Sequence, residues 1–440
     1  MRAANHYEPA NAIASMLTVP ENAFRDLKSR GAWLVVYKAF ADLAGKGVMF
    51  AITVVAARRL TPQAFGIFAL ASTLGWILAL ATDFGIQAHV ARTVARAPAD
   101  AAAVLAAWLR PRVWASAVAV AAVMLASVAW RADASFAIPM LLFALVYCGA
   151  GLIEFLHYFY RGLARTDIES SLTLWHRGAM LLCGVGALLW RPSVTALAVA
   201  LLVPVAITLA ISLRIARGMG SRTTPPDAVP IVGGFWLDVF PIGAGTVLSA
   251  LYFRIDVFLV QWWRGAEAVA LYNAVFRLVE ALRLFPAAVL AVALPTLCRA
   301  TTMRPLVRVS TGLVGFAAIT TAVLWPAAGL IVRLVFGASF AGAVPAFRIL
   351  LLAFPLLSLN YALTQQLIGW SGERSYALIC ALALIVNLAL NARLIPAWSI
   401  DGAAWATVAT EVVLTLGCVM ALAAARTFAS TAVVPAGNPV

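Results

Sequence analysis

Residues 253–286 read FRIDVFLVQWWRGAEAVALYNAVFRLVEALRLFP. An apolar run ends at Trp262-Trp263, a tight turn falls at Arg264-Gly265, and a second apolar run follows. That is the pattern of one membrane-spanning helix turning into the next. Inside it sit Arg254, Asp256, Arg277, Glu280 and Arg283. A charge at such depth costs roughly 3 kcal/mol or more unless it is paired or faces water, so these side chains are the first candidates for a substrate path. Arg277, Glu280 and Arg283 are spaced by three and share one broad helix face. Arg254 and Asp256 point about 200° apart around a helix and should take different partners. Asp256 and Glu280 are the available pairing partners, and a purely structural set of ion pairs is the competing reading. Three arginines against two acids leave surplus positive charge, which calls for water or an anionic substrate.

The rest of the chain has the same character. Its 440 residues are 63% hydrophobic and 11% charged, with mean hydropathy +0.94. Soluble domains carry about 25% charged residues. The composition therefore predicts an all-α polytopic membrane protein. Apolar runs of spanning length lie near 32–57, 64–87, 104–129, 136–160, 172–190, 193–214, 234–262, 267–297, 306–334, 343–369, 374–395 and 401–424, about twelve transmembrane helices.

The net charge of +14 does not indicate nucleic acid, because most Lys and Arg fall in short loops between apolar runs. With the N-terminus inside, sixteen Lys and Arg lie on inner segments (Arg92, Arg96, Arg161, Arg165 and Arg214 among them). Seven lie on outer turns: Arg58, Arg59, Arg131, Arg191, Arg264, Arg333 and Arg393. This bias predicts both termini in the cytoplasm. The five cysteines have neither disulfide nor metal spacing, so no metal is expected. No Gly-rich phosphate loop is present, and neither His157 nor His176 has a nucleophile at motif spacing. The expectation is a non-enzyme without cofactor.

The longest polar connection, Arg214 to Gly234, holds Gly218, Gly220 and Pro225-Pro226 and reads as a linker. It divides the chain into a cytoplasmic tail (1–31, polar and without a signal-peptide core), a six-helix lobe (32–216), the linker (217–233), a second six-helix lobe (234–426) and a cytoplasmic tail (427–440). Leu60-Thr-Pro-Gln-Ala-Phe-Gly-Ile-Phe, between spans one and two, resembles Arg264-Gly-Ala-Glu-Ala-Val-Ala-Leu-Tyr, between spans seven and eight. Six spans per half predicts parallel repeats about a pseudo-two-fold axis along the membrane normal, with a cavity between them.

Two blocks carry a family resemblance. One is Arg254-x-Asp256, Gly265, Leu271-Tyr272-Asn273-Ala274 and Arg277-Leu278-x-Glu280. The other is Leu359-Asn360, Gly372-Glu373-Arg374, Asn387-Leu-Ala-Leu-Asn391-x-x-Leu394-Ile395-Pro396 and Gly402-Ala403-Ala404-x-Ala406-Thr407. Phe65-Gly66-Ile67-Phe68 with Asp83-Phe84-Gly85-Ile86 adds a weaker match. The chain resembles the bacterial polysaccharide repeat-unit flippases (Wzx type) of the multidrug/oligosaccharidyl-lipid/polysaccharide exporter superfamily. Ser399-Ile400-Asp401 departs from the family's glycine turn. The resemblance implies a bacterial inner-membrane location and an undecaprenyl-diphosphate-linked oligosaccharide as substrate. It also implies a polysaccharide polymerase and a chain-length regulator as candidate partners of a monomeric transporter among membrane lipids.

Other charged stretches extend the path. Lys38, Asp42 and Lys46 recur every four residues in the first span and share about 80° of one face. Lys38 is expected near the inner face, Lys46 and Arg283 near mid-depth, and Arg277 and Arg254 further out. Such a ladder of cations suits a diphosphate headgroup, since Arg binds phosphate bidentately and Lys binds it as a point charge. Asp42 and Glu411, carboxylates inside spans, are the candidates for ion or proton coupling. Glu154 to Arg161, with His157, Tyr158 and Tyr160, reads as an aromatic interfacial end, and His176-Arg177 likewise. Asn360, Gln365, Gln366, Asn387 and Asn391 read as interhelical hydrogen-bonding residues.

The sequence thus points to a secondary transporter that flips a lipid-linked oligosaccharide outward by alternating access. The alternatives are a lipid II flippase or a cation-coupled multidrug antiporter on the same fold. A membrane polysaccharide polymerase or ligase would need a sizeable outer domain, and every outer turn here is short.

Overall fold

The structure is a computed structural model that describes residues 21–220, 235–299, 302–370 and 372–431. The tail residues 1–20 and 432–440, and the linker with Pro225-Pro226, lie outside the described residues. The chain forms α1 (Glu21–Arg59), α2 (Pro62–Asp83), α3 (Ile86–Arg96), α4 (Ala101–Ala129), α5 (Ala134–Gly162), α6 (Thr166–Trp190) and α7 (Val194–Gly220). The second half forms α8 (Phe235–Leu282), α9 (Leu284–Arg299), α10 (Arg304–Phe336), α11 (Val344–Gly369) and α12 (Glu373–Thr431). No strand occurs among the described residues. Nine helical stretches among them are long and apolar enough to cross a membrane. The first helix starts at Glu21, ahead of the expected span at 32, and the last runs to Thr431, past the expected end at 424.

Local chemistry sets the breaks. Thr61 caps α2 by accepting from the Ala64 N–H at 3.3 Å, and Pro62 fills the first helical turn, where its missing donor costs nothing. α2 stops where Phe84 turns left-handed at φ 45°. Asp83 then accepts from the N–H groups of Gly85 and Gln87, both at 3.2 Å, and so starts α3. α8 breaks at Gly265, whose φ of 79° and ψ of −177° are accessible only to glycine. α12 passes through Pro396 and breaks at Ser399 (φ 53°). Arg264, beside the first break, donates to the carbonyls of Ile395 (3.3 Å) and Pro396 at the second. Carbonyls loosened by the kink thus find a partner.

Arg131, Arg191, Arg264 and Ser399 lie at one end of the bundle. Trp130, Trp190, Trp262 and Trp398 sit there too, 57–90% exposed. A ring of exposed tryptophans at one level is the pattern of an interfacial aromatic belt. Elsewhere large apolar side chains such as Trp114, Leu182, Val292 and Leu378 are exposed, which fits a surface solvated by lipid.

Packing divides the helices into two lobes. In the first, α2 packs on α5, α1 on α6, and α7 on α5 and α6; in the second, α12 packs on α8 and α11, and α11 on α10. The lobes meet mainly through α2 and α8. One apolar core spans both lobes at the tryptophan-ringed end and includes Phe65, Phe68, Val260, Tyr272, Phe336 and Phe340. Toward the opposite end the core splits. One cluster, built on Val90, Trp108, Phe155 and Tyr160, belongs to the first lobe apart from Val239. The other, built on Leu290, Leu306, Leu363 and Leu414, belongs to the second. A core that is shared at one end and divided at the other leaves a cleft between the lobes.

The shared end is tightly closed. A methyl group on Gly66 would sit 1.8 Å from the carbonyl oxygen of Ala266. These two residues belong to the two repeated turn segments found in the sequence, which therefore face each other across the seam. Phe65 meets Phe340 edge-on with centroids 5.6 Å apart. Arg58, ending α1, donates to the Val335 carbonyl at 2.8 Å and to that of Leu334. It thereby caps the C-terminal end of α10, where a cation is favoured.

Candidate functional site: a charged cleft between the lobes

The cleft has a volume of about 930 Å³, near the upper end of the range usual for ligand pockets. Its second-lobe wall carries Arg254, Arg277 and Glu280 on the two limbs of α8 and Arg283 at the junction of α8 with α9. Exposure falls along it. The Glu154 side chain is 45% exposed, that of Arg277 is 26%, and that of Arg254 is 3%. The cleft therefore opens away from the closed end and narrows toward Arg254.

Glu280 lies between two arginines. Its Oε1 accepts from Arg254 Nη2 at 2.9 Å and its Oε2 accepts from Arg277 Nη1 at 2.7 Å. Arg254 is further fixed by Asn273 Oδ1 at 3.4 Å and lies over the Phe276 ring at 4.4 Å. Arg283 lies over the Phe253 ring at 4.5 Å and near Tyr361 at 5.9 Å. Asp256, two residues from Arg254, takes different partners: the Tyr272 hydroxyl donates to it, and so does the Val257 N–H at 2.8 Å. The helical-wheel expectation of separate partners matches this geometry.

Lys46 and Asp42 stand on α1 at the cleft's first-lobe wall, both exposed. Lys38 is on α1 as well, but its side chain lies outside the described set. Glu411 is not on the cleft. It is 2% exposed between α12 and α11, where Asn360 Nδ2 donates to its carboxylate at 2.7 Å and to its backbone carbonyl at 2.8 Å. The asparagine network behaves as interhelical bonding: Asn387 donates to Thr410 at 3.1 Å and Gln366 to the Leu297 carbonyl at 3.1 Å.

Within the stretch read as an aromatic interfacial end, Glu154 faces the cleft while three of the rings are packed inside. Phe155, Phe159 and Tyr160 are fully buried, and the Tyr160 hydroxyl donates to the Ser212 carbonyl at 2.6 Å. His157 and His176 are 4% exposed, and His176 sits 3.2 Å from the Thr208 hydroxyl. Their place at the ends of spans suggests the interface, but neighbouring helices bury them: Phe155, Phe159 and Tyr160 share a core with Val90, Trp108, Leu172 and Ala216.

Several site residues escaped the sequence reading. Arg177 and Glu169 line the cleft from α6, and Glu154 lines it from α5. Gly45 backs it: a methyl there would lie 3.2 Å from Arg177 Nε. Glu169 is anchored by Arg161 at 2.6 Å. Arg112, wholly buried on α4, lies 3.6 Å from Asp83 and is not part of the cleft. Aromatic residues complete the lining, with Trp76, Tyr147, Tyr252, Tyr361 and Tyr376 among them. No group of three or more metal-ligating side chains occurs among the described residues.

Two helical lobes closed at one end around a charged cleft, built from helices of membrane-spanning length, define the class: a multi-pass α-helical membrane protein. Residues 35–301 match the polysaccharide biosynthesis protein family, and the chain belongs to it. No curated protein sequence matches it. Its fold is shared with the lipid II flippase MurJ in an inward closed conformation, at TM-score 0.67 and 11% identity over 92% of this chain and 94% of that one. A transporter of the MOP superfamily from Pyrococcus furiosus superposes at TM-score 0.64 and 13% identity, covering 90% and 96%. An outward-facing multidrug resistance MATE transporter does so at TM-score 0.63 and 15% identity, covering 91% and 96%.

Proposed function

We propose that this chain flips an undecaprenyl-diphosphate-linked oligosaccharide from the cytoplasmic to the periplasmic leaflet of a bacterial inner membrane. The observation that carries the reading is the cleft wall itself, where Arg277, Arg283, Arg177 and Lys46 stand beside Trp76, Tyr147, Tyr361 and Tyr376. Cations suit the diphosphate, and aromatic faces suit sugar rings. The family membership supports the same cargo class. Lipid II is the alternative cargo, supported by the likeness in fold to MurJ; a wall with more cations than acids on the second lobe disfavours cationic drugs.

The test is leaflet exchange. The chain is reconstituted in liposomes carrying a labelled undecaprenyl-diphosphate disaccharide, and label accessible to an impermeant reagent is followed over time. The expected result is movement well above protein-free liposomes and slow movement with Arg277→Ala. Rates equal to the protein-free control would remove the proposal.

Orientation follows from loop charge, which places the closed, tryptophan-ringed end outside and the cleft mouth in the cytoplasm. Reporter fusions after residues 220 and 264 should then report opposite sides, with 264 outside. The same side for both contradicts the topology.

Coupling is assigned to Asp42 on the cleft and Glu411 behind it. Asp42→Asn and Glu411→Gln should each slow flipping while the protein still inserts and purifies normally. Full activity with both replaced would take them out of the mechanism.

A further inference from the structure

The geometry of Glu280 has a consequence for how the substrate is received and let go. Each of its carboxylate oxygens is held by a different arginine, and the two arginines are unequal. Arg254 is sealed at 3% exposure, tied to Asn273 and covered by Phe276. Arg277 is partly exposed to the cleft, and its buried Nε has no hydrogen-bond partner. Its guanidinium fork is thus only partly used, although a fork binds best when two parallel N–H groups meet one oxyanion. Arg277 and Glu280 are one helical turn apart, so a rotamer change separates them without moving backbone.

We infer that Glu280 is a built-in competitor for the substrate's diphosphate: it occupies Arg277 between transport cycles, releases it when the substrate arrives, and displaces the substrate again at the far side. This rests on the flippase reading above. Arg254 is the fixed post that keeps hold of Glu280 during the exchange, so the carboxylate is never left alone in the span. A diphosphate offers more charge and more acceptor oxygens than one carboxylate, which lets it win Arg277. Glu280 is near enough to win it back. It is a positioning residue, acting through Arg277, and it makes binding weaker so that release is possible.

The full-length protein in lipid nanodiscs, titrated with undecaprenyl diphosphate, tests this. Glu280→Gln should bind it about tenfold more tightly than the wild type, the equivalent of one charged hydrogen bond no longer displaced. Polysaccharide export by the same variant should fall, because release slows. Asp167→Asn removes one negative charge outside the cleft, where Asp167 pairs with Arg165 at 2.9 Å, and should change affinity by less than about twofold through screened electrostatics alone. Unchanged or weaker binding by Glu280→Gln, or an equal gain in Asp167→Asn, overturns the inference. Wild-type protein that binds no undecaprenyl diphosphate would instead sink the cargo reading, whatever the variants do. Should Glu280→Gln not be recovered folded, Glu280→Asp serves. It keeps the charge for Arg254 but is too short to span both guanidiniums, so affinity should rise, and no rise would overturn the idea.

Discussion

A single methyl group at Gly66 should all but stop transport. In the closed seam it would lie 1.8 Å from the Ala266 oxygen and 2.6 Å from its carbonyl carbon. Both are backbone atoms, with no rotamer to move aside. The turn at Gly265 would have to retreat, and with it the Phe65–Phe340 contact and the Arg58 bonds to the end of α10. Overpacking of this kind costs about 1–3 kcal/mol or more. Concentrated at the seam between two states, that shifts their balance by roughly tenfold to a hundredfold. Gly66→Ala should therefore cut polysaccharide export at least about tenfold. It should do so with the protein folded, because each lobe's own core is untouched. Phe340→Cys, in a background without the native cysteines, places a reporter thiol at the seam. That thiol should become accessible to an impermeant reagent once Gly66→Ala is added. Normal export with the reporter thiol still inaccessible would show that the seam tolerates the methyl.

The second large effect separates two neighbours that the sequence treats as a pair. Arg277→Ala should cut export severely and leave protein levels normal, because Glu280 keeps its 2.9 Å bond to Arg254. The sequence alone predicts otherwise: with Arg277 as the partner one turn away, its loss would strand Glu280. Glu280→Ala should have the opposite signature. It strands Arg254 as a buried cation without its acid, which costs about 3–5 kcal/mol and should deplete the protein from the membrane. The double variant then carries the stability defect of Glu280→Ala and does not rescue it. Arg277→Lys keeps charge and loses the fork, so partial export is expected. Membrane abundance by immunoblot, measured beside export, distinguishes these outcomes. Normal levels of Glu280→Ala would contradict the ion triad.

Much of this fold was legible because a bilayer enforces it. Long apolar runs have to be helices, since no water is present to satisfy free backbone groups. The break at Gly265 showed itself as a glycine beside an arginine between two apolar runs. The repeat between Leu60 and Arg264 anticipated two similar turns, though not that they touch. The five charges inside the spans of 253–286 (Arg254, Asp256, Arg277, Glu280 and Arg283) stood out because a charge in a span is rare. Arg177 did not, because it follows His176 near the start of a span and passes for an interfacial residue. Arg112 and Asp83 belong to α4 and the end of α2, and no local pattern links them.

By itself the sequence determined the class of architecture, the break at Gly265, and which polar side chains must be accounted for inside the membrane. Helical periodicity gives each side chain a direction about its own axis. It does not say which helix, ring or open cleft lies in that direction. Only the tertiary structure decided that Arg254 is locked behind Glu280 while Arg277 meets the cleft, and that Glu411 points into α11 and away from it. The same holds for Gly66, whose missing methyl makes room for a carbonyl of the other lobe. These are contacts between helices far apart in the chain, made by packing that no single segment encodes.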